Sequence, residues 1–364
     1  VSALEQPKYN VLDLFSGAGG LSRGFLDAGF NVILGVDNDE MALKTFAENH
    51  GNTATMKLDL FNHNNLNEIT KYLISKGVTI DVLVGGPPCQ GFSISGEMKE
   101  DDERNMLYTA MVELAKKIKP KFVVLENVMG MIKLYDGKGA KRVIKGFEEI
   151  GYKMKAEQLY APDFGIPQIR RRVFFVGTLD DKIDFKYPKP TYTEETYISC
   201  EQAISDLPSL EDGVWSDEQE YTSAPTTDYQ KLMRGNTKTI YNHIGSRHTE
   251  KTINLISQIP AGKNHKCLPE ELKKGIKYND ILTRFFRDKP SHTITTGHRT
   301  HFHYQYNRIP TVRECARLQS FPDDFIFYGN KGQQYKQVGN AVPPILGKCL
   351  AMAIKEYLDG SVTI

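Results

Sequence analysis

The chain has 364 residues, 40% hydrophobic and 25% charged, enough to bury a large core and to form about two domains. No run approaches the roughly 18 to 20 consecutive apolar residues of a membrane span, and no charged-apolar-small signal pattern opens the chain, so a cytoplasmic globular protein is expected. Net charge is +1, and Cys89, Cys200, Cys267, Cys315 and Cys349 form no Cys-x-x-Cys pair, which leaves neither a disulfide framework nor a zinc ribbon supported.

The first 180 residues alternate short β-branched runs with helical patterns, the signature of a Rossmann-like α/β domain built on a parallel sheet. Val11 to Phe15 ends in the turn Asp13-Leu14-Phe15-Ser16-Gly17-Ala18-Gly19-Gly20, where glycines let backbone approach a ligand and open a helix. Alone this turn is a weak signal, since it lacks the full spacing of a dinucleotide fingerprint. A second strand, Asn31 to Val36, ends at Asp37, placed to accept hydrogen bonds from ribose hydroxyls of NAD or of an adenosyl-sulfonium cofactor; a helix N-cap is the other role open to it. The third strand covers Ala54 to Leu58 and ends at Asp59. Strands over Asp81 to Val84 and Lys121 to Leu125 are closed by Gly85-Gly86-Pro87-Pro88 and by Glu126-Asn127. These strand ends matter because open α/β sheets bind ligands there.

The discriminating element is Gly85-Gly86-Pro87-Pro88-Cys89-Gln90-Gly91-Phe92-Ser93, a rigid loop carrying one thiol. Most cysteines are small core residues, the reading given to the other four, but this position favours a nucleophile. Further on, Gln168-Ile169-Arg170-Arg171-Arg172 leads into a strand at 173 to 177. Alternation sets Arg170 and Arg172 on one face, able to point together into a site, with a solvated basic edge strand as the plain alternative.

After Gly177 the alternation stops, and Pro188 and Pro190 mark a boundary. Residues 191 to 230 hold ten Asp/Glu and no Lys/Arg; residues 231 to 313 hold sixteen Lys/Arg, five Asp/Glu and seven of the nine histidines. The second stretch reads as a polyanion-binding surface or, more plainly, a solvated face. His298, His301 and His303 have a metal-like spacing, but no interleaved cysteine or carboxylate supports a metal, and contact with a polyanion suits them and their neighbours Arg299 and Arg308 better. Helical character returns at Arg313 to Leu318, and a final helix is expected from Ile345 to Leu358.

Taken in order, Asp13 to Gly20, Pro87-Pro88-Cys89-Gln90, Glu126-Asn127-Val128, Gln168 to Arg172, Arg313 to Asp324 and Gly339-Asn340-Ala341-Val342-Pro343-Pro344 resemble the motif series of bacterial cytosine-C5 DNA methyltransferases. The resemblance spans Val11 to Leu358 apart from about 180 to 310. It implies transfer of a methyl group from S-adenosyl-L-methionine to C5 of a flipped-out cytosine in double-stranded DNA, leaving S-adenosyl-L-homocysteine and using no metal. Cys89 would attack C6, Glu126 would serve N3, Arg172 would stabilise charge at O2, and Arg170 would orient base or thiolate.

Cofactor contacts implied by the family are Phe15, Gly17, Gly19, Asp37, Asn38, Asp59, Pro87, Leu107 and Asn340, with helix core as the other reading of Leu107. Ser95 would enter the gap left by the base and Thr295 would grip a phosphate. The expected architecture is a Rossmann-like cofactor-binding domain over 1–184, completed by 326–364, with a smaller target-recognition domain over 185–325. A monomer is expected, with a cognate restriction endonuclease acting on the same site. The rivals are an RNA cytosine-C5 methyltransferase of the same fold, whose usual Cys-Phe-Thr element is absent here, a nicotinamide oxidoreductase, and an inactive binding protein.

Overall fold

The computed structural model describes residues 9–88, 106–133, 135–211, 213, 216–273, 282–297 and 301–361. The chain divides into two units: Val1–Tyr160 with Arg171–Lys189 and Pro344–Ile364, and Ala161–Arg170 with Pro190–Pro343. Three stretches fall differently from the sequence-based boundaries: 185–189 belong to the first unit, and 161–170 and 326–343 to the second.

In the first unit, apolar β-branched runs become the strands β1 Asn10–Leu14, β2 Asn31–Asp37, β3 Ala54–Lys57, β4 Val82–Gly85 and β5 Phe122–Val128, joined by β6 Lys153–Tyr160 and β7 Arg171–Thr178. Their order is β3-β2-β1-β4-β5-β7-β6. The first five are parallel, whereas β7 lies antiparallel to both β5 and β6, so the expected parallel sheet has an antiparallel edge. Parallel pairing of β4 with β5 stops at Gly85 opposite Leu125, while β7 carries β5 on to Val128 opposite Arg172. Glu126 and Asn127, expected to close the strand after Leu125, therefore lie inside a strand that overhangs its neighbour.

Helices α1 Gly20–Asp27, α2 Glu40–Asn49, α3 Leu66–Lys76, α4 Tyr108–Ile118, α5 Gly130–Lys133 and α6 Lys138–Glu148 follow the strands. Leu12, Leu14, Leu34, Leu83, Met111, Leu114, Val123, Val143 and Phe175 are among the residues of one continuous apolar core. The C-terminal helix, Pro344–Leu358, begins with a proline at its first turn, where the missing N–H costs nothing. It packs on α1 so closely that a Cβ at Gly24 would overlap its backbone, and the Tyr9 hydroxyl donates to Leu358 O at 2.7 Å.

The second unit has few regular elements. Its described strands pair only as two two-stranded sheets. Helix Val312–Leu318 starts with a capping box in which Thr311 and Glu314 satisfy each other's backbone N–H groups, followed by Lys331–Asn340 with a second such box from Asn330 and Gln333.

Candidate active site

At the end of β1 the backbone turns through left-handed conformations at Phe15 (φ 56°), Gly17 (φ 54°) and Gly19 (φ 90°). Two of these are glycines and bear no steric cost; Phe15 does, a strain typical of ligand-binding turns. Asp37 supports the turn from β2: Oδ2 accepts from Gly17 N and Oδ1 from Asp39 N, both at 2.8 Å. The N-cap of α2 is Asp39, which accepts from Met41 N and Ala42 N, so the capping role left open for Asp37 belongs to its neighbour. Burial raises the Asp37 pKa against the pull of these N–H groups, and the Asp39 charge adds to the rise. Asp13 lies buried in β1, accepting from Ser22 Oγ at 2.6 Å; burial, opposed by that bond, pushes it up to about 7, with the Asp37 charge adding.

The space beside Gly17 is open, since a Cβ there would meet nothing within 4 Å. Asn38 and Asp59 are exposed. Asp59 Oδ1 accepts from Phe61 N at 3.0 Å. Leu107 is buried immediately before α4 and Pro87 is buried just past β4. A glycine turn with open space beside it, a carboxylate at the next strand end and a third at the one beyond suit a nucleoside-bearing cofactor.

On the β5 overhang, Glu126 Oε1 lies 2.9 Å from Arg172 Nε. They are diagonal neighbours on one face of the ladder, because Val128 stands opposite Arg172 and Glu126 opposite Phe174. Arg172 Nη1 also donates to Arg171 O at 2.8 Å, and the Arg171 guanidinium stacks on Tyr160, 3.8 Å from the ring centre. Asn127, missed by the sequence reading, donates Nδ2–H to Pro87 O at 3.0 Å and so ties β5 to the segment leading to Cys89. Cys89 and Ser95 lie outside the described residues, as does Arg299.

Arg170 departs from expectation. Strand β7 begins only at Arg171, so alternation does not reach it. Its guanidinium is buried in the second unit, donating to Ile294 O, Gly339 O and Ala341 O at 3.1 to 3.2 Å. These carbonyls flank Thr295 and Asn340, both exposed. A Cβ at Gly339 would strike the Thr295 backbone, so the structure brings Thr295 and Asn340 together and Arg170 holds the backbone on either side.

Arg308 is corrected more firmly. It is buried, with Nη1 and Nη2 on the two Glu314 carboxylate oxygens at 2.8 and 2.6 Å, and is not offered to a phosphate. Arg284 and Arg313 are likewise interior, and His303 is driven down to about 3 chiefly by burial. His301 falls to about 4 for the same reason and stacks on Phe285. Three arginines and three histidines of 231–313, namely Arg284, Arg308, Arg313, His243, His265 and His303, are therefore scaffold, while Lys238, Arg247, Lys251, Lys263, Lys266 and Lys289 are among its exposed cations. Among the described residues no group of three metal-ligating side chains occurs.

The sequence profile of the C-5 cytosine-specific DNA methylases matches residues 9–356. The chain is 37% identical to the type II methyltransferase M.DdeI of Desulfomicrobium norvegicum, covering 96% of this chain and 89% of that protein. It is also 37% identical to M1.HphI of Haemophilus parahaemolyticus, covering 94% and 86%. Among solved structures, a prophage-encoded DNA modification methyltransferase of E. coli superimposes with a TM-score of 0.81 at 27% identity, over 97% of this chain and 100% of that one.

Proposed function

Because this chain belongs to the C-5 cytosine-specific DNA methylase family, we propose that it methylates cytosine in DNA through covalent addition of Cys89 to C6 of a base rotated out of the duplex. The observation that carries this reading is the Glu126–Arg172 pair, fixed on the overhang of β5 beside the segment that leads to Cys89.

A C5 carbon is a poor nucleophile until a thiolate adds at C6 and pushes electron density onto the ring. Glu126 donates a proton or hydrogen bond to N3, and Arg172 donates to O2, so the charge that develops meets groups already in place. S-adenosyl-L-methionine, when bound, supplies an electrophilic methyl group. Phe15, Gly17, Gly19, Asp37, Asn38, Asp59, Pro87, Leu107 and Asn340 hold it, with Asp37 accepting from the ribose hydroxyls while it keeps Gly17 N in place. Loss of the C5 proton and elimination of the Cys89 thiolate then restore the ring.

Ser95, Thr295 and Arg299 contact DNA, aided by the exposed lysines of 231–313. Arg170 serves as a positioning residue for the Thr295 and Asn340 backbone. The domain that reads the target corresponds to the second unit. The enzyme acts as a monomer and shares its target site with a restriction endonuclease, a reading supported by its likeness to proteins named type II methyltransferases.

Cys89→Ser is expected to abolish methylation of plasmid DNA while cofactor binding, measured by calorimetry, stays within about twofold, since only the covalent step is lost. DNA carrying 5-fluorocytosine should trap a covalent complex that peptide mapping assigns to Cys89. Turnover by the serine variant, or trapping at another cysteine, refutes the mechanism.

A further inference from the structure

Beneath the glycine turn lies a group that shapes the site without belonging to it. His50 follows α2 and is 4% exposed. Its ring stacks on Phe46, with centroids 4.1 Å apart and planes 14° from parallel. Nε2 lies 3.0 Å from Gly19 O, and Nδ1 lies 2.7 Å from Phe46 O. The backbone of His50 is itself pinned, because Thr53 Oγ1 donates to His50 O at 2.8 Å and Thr53 N donates to the same oxygen at 3.2 Å.

The two stacked rings fill the space that two glycines vacate. A Cβ at Gly19 would overlap both rings, and one at Gly35 in β2 would come within 2.6 Å of Phe46. The turn is thus gripped from both ends. Asp37 holds the Gly17 N–H, and His50 faces the Gly19 carbonyl, which also accepts the first helical bond of α1 from Arg23 N at 2.8 Å. With Arg23 N donating to it and the His50 ring packed against it, this carbonyl is held in place, and it sets where the N-terminus of α1 points.

We infer that His50 is a positioning residue for the cofactor, its Nε2–H donating to Gly19 O so that the glycine turn is already in its binding geometry before the cofactor arrives. This rests on the proposed use of the turn by S-adenosyl-L-methionine. Burial drives the ring down to about 4 against the pull of the two carbonyls, while Arg23 lowers it and Asp27 raises it slightly, so the ring is neutral near pH 7 and has one proton to give. Nδ1 meets Phe46 O at 2.7 Å on the other side of the ring, so the imidazole bridges two carbonyls, and the tautomer decides which of them receives its one N–H.

The test compares His50→Ala, His50→Gln and Leu43→Ala, the last a buried α2 residue outside the turn that controls for simple loss of stability. For His50→Ala, the KM and Kd for S-adenosyl-L-methionine should rise about tenfold, the worth of one hydrogen bond, with kcat at saturating cofactor within about twofold. His50→Gln, which keeps an N–H donor, should recover most of the loss, and Leu43→Ala should lower the melting temperature without moving KM. Equal KM in His50→Ala and wild type, or an equal rise in Leu43→Ala, overturns the inference while leaving the cofactor reading intact. A wild-type protein that binds no S-adenosyl-L-methionine overturns both.

Discussion

The two units solve the same problem, burial of backbone polar groups, in opposite ways. In the first, a seven-stranded sheet pairs N–H with C=O along its ladders, and its helices cover it with apolar side chains. In the second, with little ladder to use, buried arginines take the place of neighbouring strands. Arg284 donates to the carbonyls of Ile256, Ile259, His303 and Tyr306 and to Asn307 Oδ1. Arg313 reaches Tyr241 O, Pro322 O and Phe325 O, and Arg317 spans the Asp206 and Asp323 carboxylates and Ala203 O. A guanidinium offers five donors in a rigid fork, which is what an irregular set of carbonyls needs. A charged residue in such a unit is thus as much a core residue as a leucine is in the other.

The sharpest way to break this contrast is Arg317→Leu, which strips the shared guanidinium from two buried carboxylates, leaving Asp206 with Arg234 and Asp323 with the more distant Arg313, and should cost about 3 to 5 kcal/mol. Hydrogen exchange should show protection lost across 190–343 and largely kept in β1, β4 and β5. If protection fell equally in both units, they would be one cooperative block.

Acid should separate them next. His301 and His303 stay neutral in the fold, so as pH falls from 7 to 5 the unfolded chain gains protons that the native unit refuses, costing about 2 kcal/mol for each. Glu314, whose burial is overcome by the Arg308 guanidinium that holds it below the usual carboxylate range, contributes stability present above its unfolded pKa and lost as pH falls further. In the first unit His50 loses a similar amount, but Asp13, raised to about 7, contributes stability that is lost as pH rises and so regains about 2 kcal/mol over the same range. Melting curves read by exchange in each unit should show the second unit weakening first between pH 7 and 5. A parallel decline would refute this.

The smallest effect sharpens the role of the fork. Arg284→Lys keeps the charge but not the fan of donors, and should cost about 2 to 3 kcal/mol, measured by urea unfolding. Arg23→Lys in the first unit, an i,i+4 partner of Asp27, should change stability by at most about 0.5 kcal/mol.

The same contrast explains what could be read in advance. Strands such as Val82–Gly85 and Phe122–Val128 are buried on both faces, and their apolar runs announce them. Strand Lys153–Tyr160 went unread because its sequence, KMKAEQLY, is that of a mostly exposed edge with lysines and a glutamate where alternation would be sought. Asp13, Asp37 and Glu126 lie in short motifs at strand ends, where pattern and position coincide. His50 lies in no such motif, and Arg308 and Arg284 look like surface cations because nothing in the pattern shows that Glu314, six residues on, takes the one guanidinium or that carbonyls 19 to 28 residues away take the other.

The antiparallel ladder that joins β5 to β7 has a consequence for how such enzymes can diverge. Side chains alternate along a strand, so the acid–arginine spacing has discrete settings: Arg172 faces Glu126, or a one-residue slip puts Arg171 there instead, with nothing between. The second unit is made of 161–170, between β6 and β7, and of 190–343, which follows β7, so its insertions and deletions fall outside the ladder. The second unit can therefore be lengthened, shortened or replaced while the spacing between Glu126 and Arg172 stays fixed by register, much as a key can be recut without touching the bolt.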